Sequence, residues 1–102
     1  MSSTRDYLDY ILEQLKDIND ITYRPMMGEF ILYYRLVIIG GIYDNRFLVK
    51  ATNNALKILP NAIYEKPYEN AKGMILVEEV ENKELLKELI EGIYLDLSKL
   101  KK

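Results

Sequence analysis

The stretch ITYRPMMGEFILYYRLVIIGGIYDNRFLVK, residues 21–50, is where the chain changes from the period of a helix to the period of a sheet. Pro25 cannot donate to a strand ladder, so Ile21–Met27 reads as a short edge strand. Gly28 supplies the turn after it. In Glu29–Tyr34, side chains alternate: Phe30, Leu32 and Tyr34 share one face, Ile31 and Tyr33 the other. Leu36–Tyr43 is apolar on both faces, the pattern of a central strand covered on both sides. Asp44-Asn45 is a two-residue hairpin signal, because both residue types tolerate positive φ. Arg46–Lys50 alternates again. Gly40-Gly41 lacks the spacing of a phosphate loop and is read as a bulge or as room for a tyrosine stacked across the strands.

Outward from this stretch the helical period returns. Leu8, Ile11, Leu12, Leu15 and Ile18 form one apolar stripe, with Ser3 as the N-cap and Asp6 completing a capping-box pattern. Thr52 caps a short helix that ends before Pro60. Residues 62–73 read as a strand running into a loop, and Met74–Val80 as a further strand. Asn82 then caps a long helix whose stripe is Leu85, Leu86, Leu89, Ile90, Ile93, Tyr94 and Leu97. Gly92 inside it costs roughly 1 kcal/mol against Ala, which marks a close approach by something else. The closing Lys99-Leu100-Lys101-Lys102 reads as a solvated helix end. The fold class is α+β, one domain over residues 1–102. An antiparallel sheet of about five strands lies with N-terminal, short middle and long C-terminal helices, in the order α-β(3)-α-β(2)-α.

Composition narrows the chemistry. With neither cysteine nor histidine among 102 residues, thiolate nucleophiles, Cys–Zn sites and the usual neutral-pH general base are excluded. A net charge of −2 argues against a DNA-phosphate surface. No segment approaches the roughly 20 apolar residues of a membrane span, and the N-terminus has no apolar core of a signal peptide. A cytoplasmic protein without cofactor or metal is the expectation. Nine tyrosines against two phenylalanines suit half-wet faces and interfaces.

Taken together, Arg24-Pro25-Met26-Met27-Gly28, the Tyr33 strand, Phe47-Leu48-x-Lys50, Tyr64-x-x-Pro67 and the Leu-rich last helix resemble the N-terminal domain family of TfoX, the competence regulators also called Sxy. The resemblance covers most of the chain and implies a two-layer fold like that of secretion chaperones. It also implies a link to transcriptional regulation of DNA uptake, alongside the cyclic-AMP receptor protein. Full-length relatives carry a further C-terminal domain, so a stand-alone first domain is expected here. The resemblance transfers no catalytic residue.

The function expected is therefore a non-enzymatic regulatory or protein-interaction module, homodimeric or bound to a protein of the regulatory machinery. Direct nucleic-acid binding is not expected. The alternative is a small-ligand binder or weak enzyme using Arg, Tyr and Lys at a sheet-face pocket. Partner or anion binding is assigned to Arg24, Tyr33, Lys50, Tyr64 and Tyr68. Arg24 offers a planar guanidinium for an anion or a partner carboxylate, or else is a structural residue that satisfies a strand end or pairs with a helix carboxylate. Glu65, Lys66 and Tyr68, beside Pro67, are grouped with Lys50 and Arg24 around a groove. Met26 and Met27 are expected to fill gaps in the core. Glu78 and Glu79 point to opposite faces of a strand and make no acid–base pair. If the helices gather on one face, the other face of Leu36–Tyr43 needs cover from a crossing helix, a second copy or a partner.

Overall fold

Three two-residue turns fold residues 21–49 back and forth, and each has positive φ at both positions: Met27-Gly28 (51° and 84°), Arg35-Leu36 (51° and 68°) and Asp44-Asn45 (53° and 54°). Two consecutive positive φ values match the right-handed twist of the flanking strands. The strands they join are β1 (Ile21–Met26), β2 (Glu29–Tyr34), β3 (Val37–Tyr43) and β4 (Arg46–Val49). The computed structural model describes residues 3–99; Leu100, Lys101 and Lys102 of the expected helix end lie outside the described residues.

After α2 (Asn53–Ile58), the short β5 (Tyr64–Glu65) and β6 (Met74–Leu76) complete an antiparallel sheet ordered β1-β2-β3-β4-β6-β5. The α+β class stands, with six strands in place of about five. The first group holds four, because β1 pairs along its whole length with β2. Met74–Val80 is shorter than its apolar run: β6 stops at Leu76, and Glu78 and Glu79 lie exposed beyond it.

All three helices cover one face. Leu8 and Ile11 of α1 (Arg5–Gln14), Ala55 of α2, and Leu86, Leu89, Ile90 and Ile93 of α3 (Lys83–Lys99) join one buried cluster with Leu32, Ile39, Phe47, Val49 and Ile75 of the sheet. The N-cap of α1 is Thr4, one residue after the expected Ser3; its hydroxyl accepts the Tyr7 N–H at 3.1 Å. Ser3 is drawn away by the sheet. Its N–H and hydroxyl both donate to Glu29 Oε1, at 3.0 and 2.6 Å, and the same carboxylate accepts the Asp44 N–H at 3.1 Å. Thr52 caps α2 through the Ala55 N–H, and Asn82 Oδ1 accepts from Leu85 N–H at the start of α3.

Gly92 is where α2 meets α3. A Cβ there would stand 2.9 Å from Asn54 Cβ, and Asn54 donates to the Gly92 carbonyl at 3.3 Å and to both Asp96 carboxylate oxygens. The next turn of α3 is held on β2 by Tyr94, edge-to-face with Tyr34 at 5.3 Å. The Arg35 guanidinium lies 5.2 and 5.6 Å from those two rings. Among the described residues, no helix is long and apolar enough to cross a membrane.

Candidate functional site

The face away from the helices is the one the sequence left in question. Cross-strand register fixes its members. Arg24 pairs with Ile31, Tyr33 with Ile38, Gly41 with Leu48, and Tyr43 with Arg46, all alternating with the core residues Leu32, Ile42 and Phe47. A bulge decides the position of Ile38. The register passes from Leu32↔Gly40 to Tyr33↔Ile38, leaving Ile39 as an extra residue. Ile39 turns into the core, its carbonyl accepts the Lys50 N–H at 3.0 Å, and Ile38 is delivered to the second face, 38% exposed.

The glycine pair explains how this face stays smooth. A Cβ on Gly41 would stand 2.6 Å from the Phe30 carbonyl oxygen and 2.8 Å from the Tyr43 ring, so Gly41 serves both the close approach of β2 and the space over which Tyr43 lies. The tyrosine belongs to the same strand, two residues on. Gly40 meets the strand on the other side: its Cβ would stand 2.3 Å from the Leu48 carbonyl oxygen, again an approach of backbone to backbone.

An open groove of about 980 Å³ runs along this face and extends to Asn53 of α2 and to Asp96 and Leu97 of α3; Met26, Ile31, Ile38, Tyr43, Pro67 and Tyr68 are among its apolar and aromatic lining. Lys50 and Lys72 line it as well. The segment between β5 and β6 forms one wall, anchored by the buried Pro67. Arg46 holds that segment down: it donates from Nε to the Tyr43 carbonyl, pairs with Glu65, and donates to the Lys66 carbonyl at 3.2 Å. Burial, and then the proximity of Tyr68, Glu29 and Tyr33, keep the Tyr43 phenol neutral to a higher pH than usual.

Of the five assigned residues, Lys50 and Tyr68 line the groove. Arg24 and Tyr33 stand on the same face beside it, paired in register with Ile31 and Ile38. Tyr64 does not join them; it pairs with the core residue Ile75 at the edge of the sheet. Arg24 is exposed, and among the described residues it makes no ion pair and no side-chain hydrogen bond, so neither structural pairing is formed. Glu65, grouped earlier with the groove, is taken by Arg46. The methionines do not fill the core: Met26 is 41% and Met27 95% exposed. Tyr43 and Arg46 were missed as members of this face. The signal for Tyr43 was its spacing two residues after Gly41; Arg46 depends on a contact across 19 residues, which no local pattern carries.

Comparison with protein-family models, with curated proteins and with solved structures finds no match for this chain.

Proposed function

We propose that this chain is a non-enzymatic, regulatory interaction module that docks protein on the second face of its sheet. One observation carries the reading: every helix lies on one face, while the other keeps an apolar groove with Met26, Ile38 and Tyr68 open to solvent. Contiguous exposed apolar surface of this kind marks interaction sites, and methionine and tyrosine are residues such sites favour. The resemblance to TfoX N-terminal domains supports a regulatory setting in the cytoplasm, with the docked protein a second copy or a member of the transcriptional machinery. Direct contact with nucleic acid is not part of this reading, because the chain carries a net charge of −2.

Size exclusion with light scattering tests it, on the chain alone and after mixing with lysate of its native host. The wild-type chain is expected to self-associate or to capture a protein, and Ile38→Asp is expected to lose that association while keeping its circular dichroism spectrum. Association indifferent to Ile38→Asp, or none at all, overturns the reading. A second reading, a small-ligand site using Lys50 with Tyr43 and Tyr68, rests on the groove's volume, which falls within the roughly 300–1,000 Å³ of ligand pockets. Saturable thermal stabilisation by a small molecule, abolished by Lys50→Ala, would favour it.

A further inference from the structure

The charges around the groove are unequal in one specific way. Among the described residues its cations are unpaired, while its carboxylates are hydrogen-bonded or ion-paired. Lys50 and Lys72 line it, and Arg24 stands beside Ile31 on the same face. All three are exposed, and among the described residues none forms an ion pair or a side-chain hydrogen bond. The carboxylates of the same region already have partners. Asp96, which itself lines the groove, accepts from the backbone and side-chain N–H groups of Asn54, at 2.8 and 2.9 Å. Glu65 is paired with Arg46, and Glu29 accepts from Ser3 and Asp44. Glu69 is exposed in the loop between β5 and β6 but does not line the groove.

A chain that is acidic overall therefore presents three unpaired cations around an apolar trough. Charge complementarity at a rim steers encounter and fixes register, while the apolar floor contributes most of the affinity. We infer that the groove takes an acidic, apolar polypeptide segment, whose aliphatic or aromatic side chains sit on Ile31, Ile38 and Met26 and whose carboxylates meet Lys50, Lys72 and Arg24. The inference rests on the reading of this face as a docking surface and adds the chemistry of the partner. Tyr43 and Tyr68 offer ring faces of the kind that stack bases, so peptide is favoured over single-stranded nucleic acid by the chain's net charge of −2, which gives a phosphate backbone little overall attraction.

The test is selection of random short peptides displayed against the whole chain, followed by fluorescence anisotropy with a synthetic copy of the enriched sequence. Enriched peptides are expected to combine Asp or Glu with aliphatic or aromatic residues. Their binding should weaken as salt rises, fall about tenfold or more in the Lys50→Glu, Lys72→Glu double variant, and be lost in Ile38→Asp. All three substitutions are at exposed positions, and circular dichroism checks that the variants fold. Peptides lost in Ile38→Asp but without acidic excess, and indifferent to the lysine variant, overturn the acidic partner while the docking face stands. Peptides indifferent to Ile38→Asp, or no enrichment, overturn both. Tighter binding of a single-stranded oligonucleotide than of the selected peptide overturns the inference as well.

Discussion

Leu36 sits at φ 68° with 83% of its surface in water, the second residue of a turn that asks for Asn-Gly. A left-handed conformation costs an L-residue about 1–2 kcal/mol, and an exposed leucine recovers none of it by packing. Glycine gives back part of that gain through its freer unfolded chain, so Leu36→Gly is expected to stabilise by up to about 1 kcal/mol net. Urea denaturation measures it. Arg35, in the same turn, is not an equivalent target, because its guanidinium serves Tyr34, Tyr94 and Asp20. Tyr43 makes a prediction in pH. Its phenol ionises above the ordinary value of 10.0 in the fold, chiefly because it is buried, so the unfolded chain loses its proton first. Stability from this group is complete below the unfolded value and falls as pH rises toward the folded one. Tyr43→Phe is expected to reduce that alkaline loss, read from denaturation midpoints at neutral pH and above pH ~10. Tyr7, shifted the same way by burial, and Tyr10, shifted the same way chiefly by its hydrogen bond to Glu81, leave part of that loss in place.

At the scale of elements, the contact between α2 and α3 sets two effects against each other. Alanine at Gly92 would gain roughly 1 kcal/mol of helix propensity. Its Cβ would also meet Asn54 Cβ at 2.9 Å, an atom fixed to the α2 backbone that cannot rotate away. The clash is expected to win, with Gly92→Ala destabilising by about 1–2 kcal/mol in urea titration. Gly73→Ala is the control: its nearest neighbour is a Tyr64 ring atom at 3.5 Å, ordinary contact, and little change is expected. The elements themselves were largely legible from the chain. The stripe of α3, the Thr52 and Asn82 caps and the Asp44-Asn45 turn each depend on residues within one helical turn of one another. Turn Arg35-Leu36 was not legible, because neither residue favours positive φ and only the pairing of β2 with β3 imposes it. The shift of the α1 cap from Ser3 to Thr4 has the same origin, since Ser3 is claimed by Glu29, 26 positions away.

For the molecule as a whole, the placement of every helix on one side makes the two faces of the sheet unequal. Leu32, fully buried among the helices, is expected to cost about 2–5 kcal/mol on substitution by alanine. Ile38, on the open face and outside the buried cluster, is expected to cost less, about 1 kcal/mol. Comparable losses at the two positions, by chemical denaturation, would contradict a one-sided core. The sequence by itself determined the α+β class, the helices, most turns and the two-faced pattern of β2 and β3, since all of these follow from spacing and local conformational preference. Only the tertiary structure decided that, among the described residues, no helix crosses the sheet, that a bulge turns Ile38 outward, and that Arg46 takes Glu65 while Arg24, Lys50 and Lys72 stay unpaired. Those outcomes depend on contacts between residues far apart in the chain, and alternation along a strand is the same whichever face the helices choose.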